Sequence, residues 1–413
     1  MKFTKTSENC CVVTELKNVR KHPNADKLQI ATVLGDSIIV GLDAKENDKV
    51  LYFDSNLCLS QHYCHVNNLF SNHEANIDKE KKGYFSSNGK VKPTNLRGEK
   101  SYGFVAYPDS LTLLVGEIDD KDLPLGLEFN SINGIKICEK FIVKSTRVKG
   151  SPKQKKKRRQ VESLMFPQHY DTKQFKRECA IIPTNQIIYI TLKIHGTSGR
   201  IANVLAEKKL NWFKHLLNKL GADFNAHYRV VMHGSRRVNL TKEKGAKAFY
   251  SGDIREVVFN KLKDHVKENE QLFFEICGYD TNGTPLQKGF SYGCKTGEHR
   301  IFLYRVSINT PNGSVYDMAP EYVARRAEEL GIDYPPLFEK YYYDGNLEKL
   351  KETIESYTNG KDPIDSSHIR EGVALHFMNK EGRWTCLKNK SFDFLMLESK
   401  NKDKGLVDIE DNA

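Results

Sequence analysis

Between residues 11 and 60 short apolar runs (CVVTEL, LQIATVL, SIIVGL, KVLYF) are separated by turn residues such as HPNAD and LGD. β-Branched and aliphatic residues in short runs broken by Asn, Asp, Pro and Gly predict antiparallel strands, and their number suits a small barrel. Residues 61–95 are polar and rich in Asn and Lys, which predicts a long loop or insertion before strand-like SYGFVAYP at 101–108. The first domain is expected to span 1–142. From Phe166 the pattern changes, and strand-like IIYITL, YRVVMHG, QLFFEICGY, RIFLYRVSI, VALHF and RWTCLK are interleaved with helical stretches. Leu210, Phe213, Leu216, Leu217 and Leu220 fall on one helical face, and Pro320–Leu330 opens on a proline suited to a first turn. These stripes read as core packing, and residues 166–400 as an α/β domain. Between the two, KSTRVKGSPKQKKKRRQ holds the nearly uninterrupted positive run Lys153–Arg159, which marks 143–165 as a basic linker. Residues 401–413 read as an acidic tail. The fold class predicted is multidomain α+β.

At 413 residues the chain has room for two domains with cores of their own. Lys and Arg outnumber Asp and Glu by 64 to 53, and a pI near 9.0 favours a polyanionic partner, with nucleic acid the first candidate. The nine cysteines are scattered and show no C-x-x-C, which excludes a zinc ribbon and a disulfide framework and fits a reducing interior. His62, Cys64, His65 and His73 match no standard metal-ligand spacing and read as chance clustering. The first residues lack an apolar leader core, and no run approaches the ~18 apolar residues needed to span a bilayer, so a soluble intracellular protein is expected.

The segment KIHGTSGR at 193–200 directly follows the apolar strand IIYITL, placing Lys193 at a strand end that faces a cleft. An amine attacks phosphorus only when deprotonated, and burial with neighbouring positive charge favours that state. Downstream, Glu275 lies in the apolar run QLFFEICGY, Glu371 opens the strand VALHF, and Lys388 and Lys390 are two apart on a strand and therefore point to one side.

Six segments then occur in a fixed order: KIHGTS (193–198), GSRR (234–237), FEICG (274–278), FLYRV (302–306), REGVAL (370–375) and LKNKS (387–391). In this order they resemble the motifs of the covalent nucleotidyltransferase superfamily of ligases and capping enzymes. The resemblance covers Phe166 to Phe394. It implies that Lys193 is the nucleophile, forming a phosphoramidate with AMP and expelling pyrophosphate. It further implies that Arg236, or alternatively Arg237, contacts the nucleotide and an incoming 5′-phosphate, that Glu275 accepts from the ribose hydroxyls, and that Tyr304 stacks on the purine. Glu371 would help to hold a divalent ion, Mg or Mn, and Lys388 and Lys390 would meet the α-phosphate. His195, third in KIHG, would hold a metal-bound water or a phosphate oxygen. Ser198 stands where asparagine is frequent and Leu192 where glutamate is common, so adenine recognition is expected to rest on backbone groups.

Histidine in KIHG, together with LKNKSF, resembles the phage-type second RNA ligases more than DNA ligases. The N-terminal HPNADKLQIATV (22–33) resembles OB-fold tRNA-binding modules, and KVLYFDSNLCLS with LRGEKSYGFVAYP resembles the N-terminal OB module of one RNA ligase group. Too few residues follow Lys390 for a C-terminal OB domain. The resemblance thus implies an ATP-dependent RNA ligase acting in RNA repair, with RNA as partner, a monomer in the cytoplasm. The alternatives are a GTP-dependent capping guanylyltransferase and a non-catalytic RNA-binding protein with a degenerate transferase domain.

Overall fold

The computed structural model describes residues 1–7, 9–143, 161–207, 227–241 and 254–405, so the expected helix Leu210–Leu220 and the basic run Lys153–Arg159 lie outside the described residues. The described residues form two compact units, one made of 1–143 with 392–405, the other of those between 161 and 391. Among them no helix is long and apolar enough to cross a membrane.

In the first unit Cys11–Glu15 pairs antiparallel with Lys49–Asp54, which pairs with Gly103–Ala106, while Glu128–Phe129 takes the other edge. Lys17–Lys21, Gln29–Val33 and Asp36–Val40 form a meander. Its second hairpin turns on Leu34 and Gly35, both at positive φ (49° and 82°), the geometry that matches strand twist in a two-residue loop. Pairing among the described residues of this unit is divided over separate sheets of two to four strands and does not close into one continuous barrel. Residues 61–95, expected to form a loop, carry the helix Gln61–Val66 and bury Tyr63, Cys64, Phe70, Phe85 and Val91 in the core. The apolar residues of this segment follow no regular period, yet these five are buried in the core, whereas Ile77 and Tyr84 are exposed. The helix Phe392–Asp403 starts inside the expected 166–400 span and runs into the expected tail, but it packs in the first unit, where Phe392 is buried with Tyr52 and Tyr102 and Lys90 Nζ donates to Ser399 O and Asp403 Oδ1.

The second unit contains two five-stranded sheets. In one the order is Lys173–Gln174, Trp384–Lys390, Gly372–Met378, Gln186–Leu192 and Leu337–Tyr343. In the other it is His227–Gly234, Thr197–Glu207, Glu270–Gly278, His299–Asn309 and Val315–Asp317. The helix Pro320–Glu329 starts on its proline and buries Val323 and Ala327 against the second sheet, where Arg326 and Glu270 form a buried ion pair at 2.8 Å. The chain crosses from an inner strand of the first sheet, Gln186–Leu192, to the second sheet at residues 193–196.

Candidate active site

Lys193 follows the last residue of the strand Gln186–Leu192, and its backbone N–H donates to Gly372 O at 3.0 Å. The pairing of this strand with Leu337–Tyr343 shifts register between Ile190 and Thr191, two residues before Lys193. After Lys193 the backbone is clamped from outside. His195 N–H donates to the Tyr292 hydroxyl (2.7 Å), the Gln287 side chain donates to Gly196 O (2.8 Å), and Arg255 donates to Ser198 O and Thr197 Oγ1 (3.1 and 2.7 Å). A Cβ on Gly196 would lie 2.4 Å from Ile276 O and 2.7 Å from Cys277 Sγ. Close packing against the neighbouring strand therefore requires glycine there.

Around Lys193 the structure gathers charge. Glu371 is 2% exposed, and its Oε1 lies 2.8 Å from Lys193 Nζ and 3.4 Å from Lys390 Nζ, while its Oε2 is 3.8 Å from His195 Nδ1. Burial opposes ionisation of Glu371, but Lys193, Lys390 and His195 outweigh it and hold the carboxyl below its usual range. Glu371 is fixed by its own backbone: its O accepts from Ser391 N at 2.8 Å, and the next residue, Gly372, has φ +148° with Asn389 O only 2.0 Å from where a Cβ would sit. In the strand Trp384–Lys390, Lys388 and Lys390 face the cavity, whereas Asn389 between them points away and donates to Thr358 Oγ1 at 2.8 Å. Burial, then the charges of Lys390 and Lys193, push the Lys388 amine down to about 8.

All nine side chains singled out in the sequence, Lys193, His195, Ser198, Arg236, Glu275, Tyr304, Glu371, Lys388 and Lys390, line one cavity of about 150 Å³. Arg236 lies on its wall with its side chain 23% exposed, whereas Arg237 is 58% exposed and not part of the lining. Glu275 is buried in the strand Glu270–Gly278, one residue beyond a register shift at Phe273/Phe274, and accepts from Ser198 Oγ at 3.0 Å. Ser198 thus supplies a partner for a carboxylate that otherwise sits inside an apolar run. The Tyr304 ring lies 5.7 Å from the His169 ring at 56°.

The lining also includes His169, Thr172, Thr191, His376 and Cys386, which sequence reasoning missed. Two of these carried a signal, a polar residue inside an otherwise apolar strand: Thr191 in IIYITL and His376 in VALHF. Thr191 Oγ1 and His376 Nε2 are 3.3 Å apart, and burial pushes the imidazole down to about 4, so it is neutral near pH 7. Tyr292 and Gln287 lie outside helices and strands, and Arg255 lies in the first turn of the helix Ile254–Leu262, with no pattern to mark any of them.

Among the described residues no group of three or more His, Cys, Asp or Glu is arranged to hold a metal. Glu371 Oε2, however, is buried with no hydrogen-bond partner there, beside a cavity rich in cationic side chains. One such carboxylate fits a Mg²⁺-like ion that draws its remaining ligands from phosphate oxygens and water.

The fold around this cavity is that of the RNA ligases. The chain is similar to a Naegleria gruberi RNA ligase mutant solved with AMP and Mn, with a TM-score of 0.59 and 14% identity over 93% of this chain and 97% of that chain. It is likewise similar to another mutant of that ligase with ATP and Mn (TM-score 0.60, 14% identity, 96% of this chain, 100% of that chain) and to the ligase with PPi (0.56, 14%, 96% and 100%). No family model and no curated protein matches the chain.

Proposed function

We propose that this chain is an ATP-dependent RNA ligase that joins a 3′-hydroxyl to a 5′-phosphate through a covalent lysyl-AMP. The observation that carries the reading is the convergence of nine ordered motif residues on one cavity, with the Lys193 amine flanked by Glu371, Lys388 and Lys390. The fold neighbours solved with ATP, AMP and PPi support a nucleotide as the occupant.

In this reading Lys193, once its proton has left, attacks the α-phosphorus. A P–N bond forms, and the P–O bond to pyrophosphate breaks. AMP then passes to the RNA 5′-phosphate, and the 3′-hydroxyl displaces it. Lys388 and Lys390 take the α-phosphate, Arg236 the nucleotide and the incoming 5′-phosphate, Glu275 the ribose hydroxyls with Ser198 orienting it, and Tyr304 the purine face. His195 holds a phosphate oxygen or a water. Glu371, through Oε2, would hold Mg²⁺ or Mn²⁺, which when bound supplies positive charge to the phosphates. The N-terminal unit is read as an OB-type RNA-binding module and the Lys153–Arg159 run as a backbone contact. A monomer acting in RNA repair in the cytoplasm completes the proposal.

Incubation with labelled ATP or GTP in Mg²⁺ or Mn²⁺ tests it, followed by sealing of nicked and single-stranded RNA and DNA. A label from ATP that stays on protein through denaturation, and sealing of RNA, are expected. A label from GTP alone would favour a capping guanylyltransferase, and no adduct with retained RNA binding would favour a degenerate transferase.

A further inference from the structure

Arg236 does not face its cavity alone. Asp171 Oδ1 lies 2.5 Å from Arg236 Nη2, and Asp171 Oδ2 lies 3.2 Å from Arg237 Nη2. One carboxylate thus bridges two guanidinium groups with its two oxygens, as two oxygens of a terminal phosphate would. Asp171 stands between the cavity-lining residues His169 and Thr172, just before the strand Lys173–Gln174 that runs parallel to Leu387–Lys388. It is therefore an anion paired with the arginine of the cavity wall, while neither it nor Arg237 lines the cavity itself.

The backbone that carries these three side chains is fixed independently of them. His169 N–H donates to Arg236 O at 3.2 Å. Arg200, 2% exposed and stacked 4.2 Å from the Phe166 ring, donates Nε to Ser235 O at 2.9 Å and Nη1 to the Phe166 and Pro167 carbonyls. The Arg236 backbone can then stay in place when Asp171 is exchanged for another anion. Asp171 and Arg237 are 46% and 58% exposed, so water weakens their attraction and a more highly charged anion can displace the carboxylate.

We infer that Asp171 is a stand-in anion: it holds Arg236 and Arg237 together until a terminal phosphate group takes its place, and so sets a threshold that only highly charged phosphates pass. The inference rests on the proposed role of Arg236 as a phosphate ligand. The displacing group has one chemistry and two sources, the β,γ-phosphates of a nucleoside triphosphate or the 5′-phosphate of an RNA end. Its removal should tighten phosphate binding, because the incoming group no longer competes.

Binding to the full chain and its variants is measured by calorimetry with pyrophosphate, ATP and AMP, and by fluorescence with nicked duplex RNA bearing a 5′-phosphate or a 5′-hydroxyl. Asp171→Asn should bind pyrophosphate and ATP, or the 5′-phosphorylated nick, about two- to fivefold tighter, the range expected for a part-exposed ion pair. AMP and the 5′-hydroxyl nick should be unchanged. The pyrophosphate arm identifies the triphosphate as the displacing group, and the nick arm identifies the RNA end. Asp171→Glu, which restores the charge, should return affinities to those of the parent. Unchanged or weaker binding of every phosphate ligand by Asp171→Asn would overturn the inference. In Arg236→Ala the same ligands should bind more weakly; if they do not, the proposed role of Arg236 fails with it. Weaker binding in Arg236→Ala combined with no effect of Asp171→Asn rejects the stand-in anion alone.

Discussion

Lys388 combines a burial cost with the repulsion of two neighbouring amines, and its proton is correspondingly easy to lose, with the amine near 8 against an ordinary 10.5. Between those two values the unfolded chain holds a proton that the folded chain lacks, so folding stability should rise with pH across that window, with the unfavourable contribution fully present below about 8. The same titration bears on binding, since only the charged amine attracts phosphate. Pyrophosphate affinity should therefore fall as pH increases through about 8, and Lys388→Met should flatten that fall in a calorimetric pH series. Lys193 is needed for a different reason, as the atom that bonds to phosphorus. Lys193→Ala should abolish the AMP adduct on a denaturing gel while keeping a single cooperative unfolding transition, lowered because buried Glu371 loses its nearest counter-charge. Glu371→Ala removes the carboxylate shared by Lys193, Lys390 and His195. Its adduct yield should collapse and resist recovery at raised ATP, since the loss is of charge organisation around the reacting phosphate and not of affinity alone.

At the scale of the element, the loop between the two sheets is held by a strained neighbour. Tyr292 is buried at φ +50°, and the adjoining Ser291 Oγ and Gly293 N–H both donate to Asp365 Oδ2, at 2.6 and 3.1 Å. A non-glycine residue in this region costs on the order of 1–2 kcal/mol, which the Asp365 contacts and the buried ring offset. In return the Tyr292 hydroxyl accepts the His195 N–H and fixes the loop beside Lys193. Tyr292→Phe keeps the ring and removes the acceptor, leaving an N–H with a desolvation penalty of about 1–3 kcal/mol. The adduct should form about tenfold or more slowly at saturating ATP, with the ATP concentration for half-maximal rate little changed; an equal rate would show that the loop needs no such clamp. Gly372, beyond Glu371, has no room for a side chain. Gly372→Ala should lower stability by about 2 kcal/mol or more in denaturant unfolding, since both the φ angle and the contact with Asn389 O oppose it.

For the whole molecule, the assignment of the helix Phe392–Asp403 to the first unit changes how the chain can be cut. Phe392 is 1% exposed there, and Leu395 and Met396 pack against the same core. A fragment covering 161–391 keeps all nine cavity residues and should form the Lys193 adduct; one covering 161–413 bares that apolar helix face and should aggregate more readily in light scattering. Charge is distributed unevenly as well. Residues 1–145 hold 19 Lys and Arg against 19 Asp and Glu, whereas 146–160 hold eight basic residues and no acidic one. Screened phosphate contacts should follow the basic run, so a fragment covering 146–391 should retain more of the salt dependence of RNA binding than 161–391, by roughly 0.7–0.9 in slope per phosphate contact. Equal slopes for the two fragments would make that run a plain linker.

The sequence by itself determined the local elements and the order of the chemistry. Apolar runs such as QLFFEICGY and RIFLYRVSI are strands because their residues are buried on both sides, and polar residues at strand ends, Lys193 and Glu371 among them, mark where the chain leaves the core. Alternation along a strand likewise fixed that Lys388 and Lys390 share a face. Tertiary structure alone decided which distant residues meet. Asp171 on Arg236 and Arg237, Tyr292 beneath His195, Ser198 on Glu275, and the helix after Ser391 in the core of the first unit all join segments remote in the chain. Residues 61–95 read as loop for the same reason. Periodicity records only neighbours within a few residues, whereas burial of an isolated Phe70 or Phe85 depends on surfaces supplied from elsewhere.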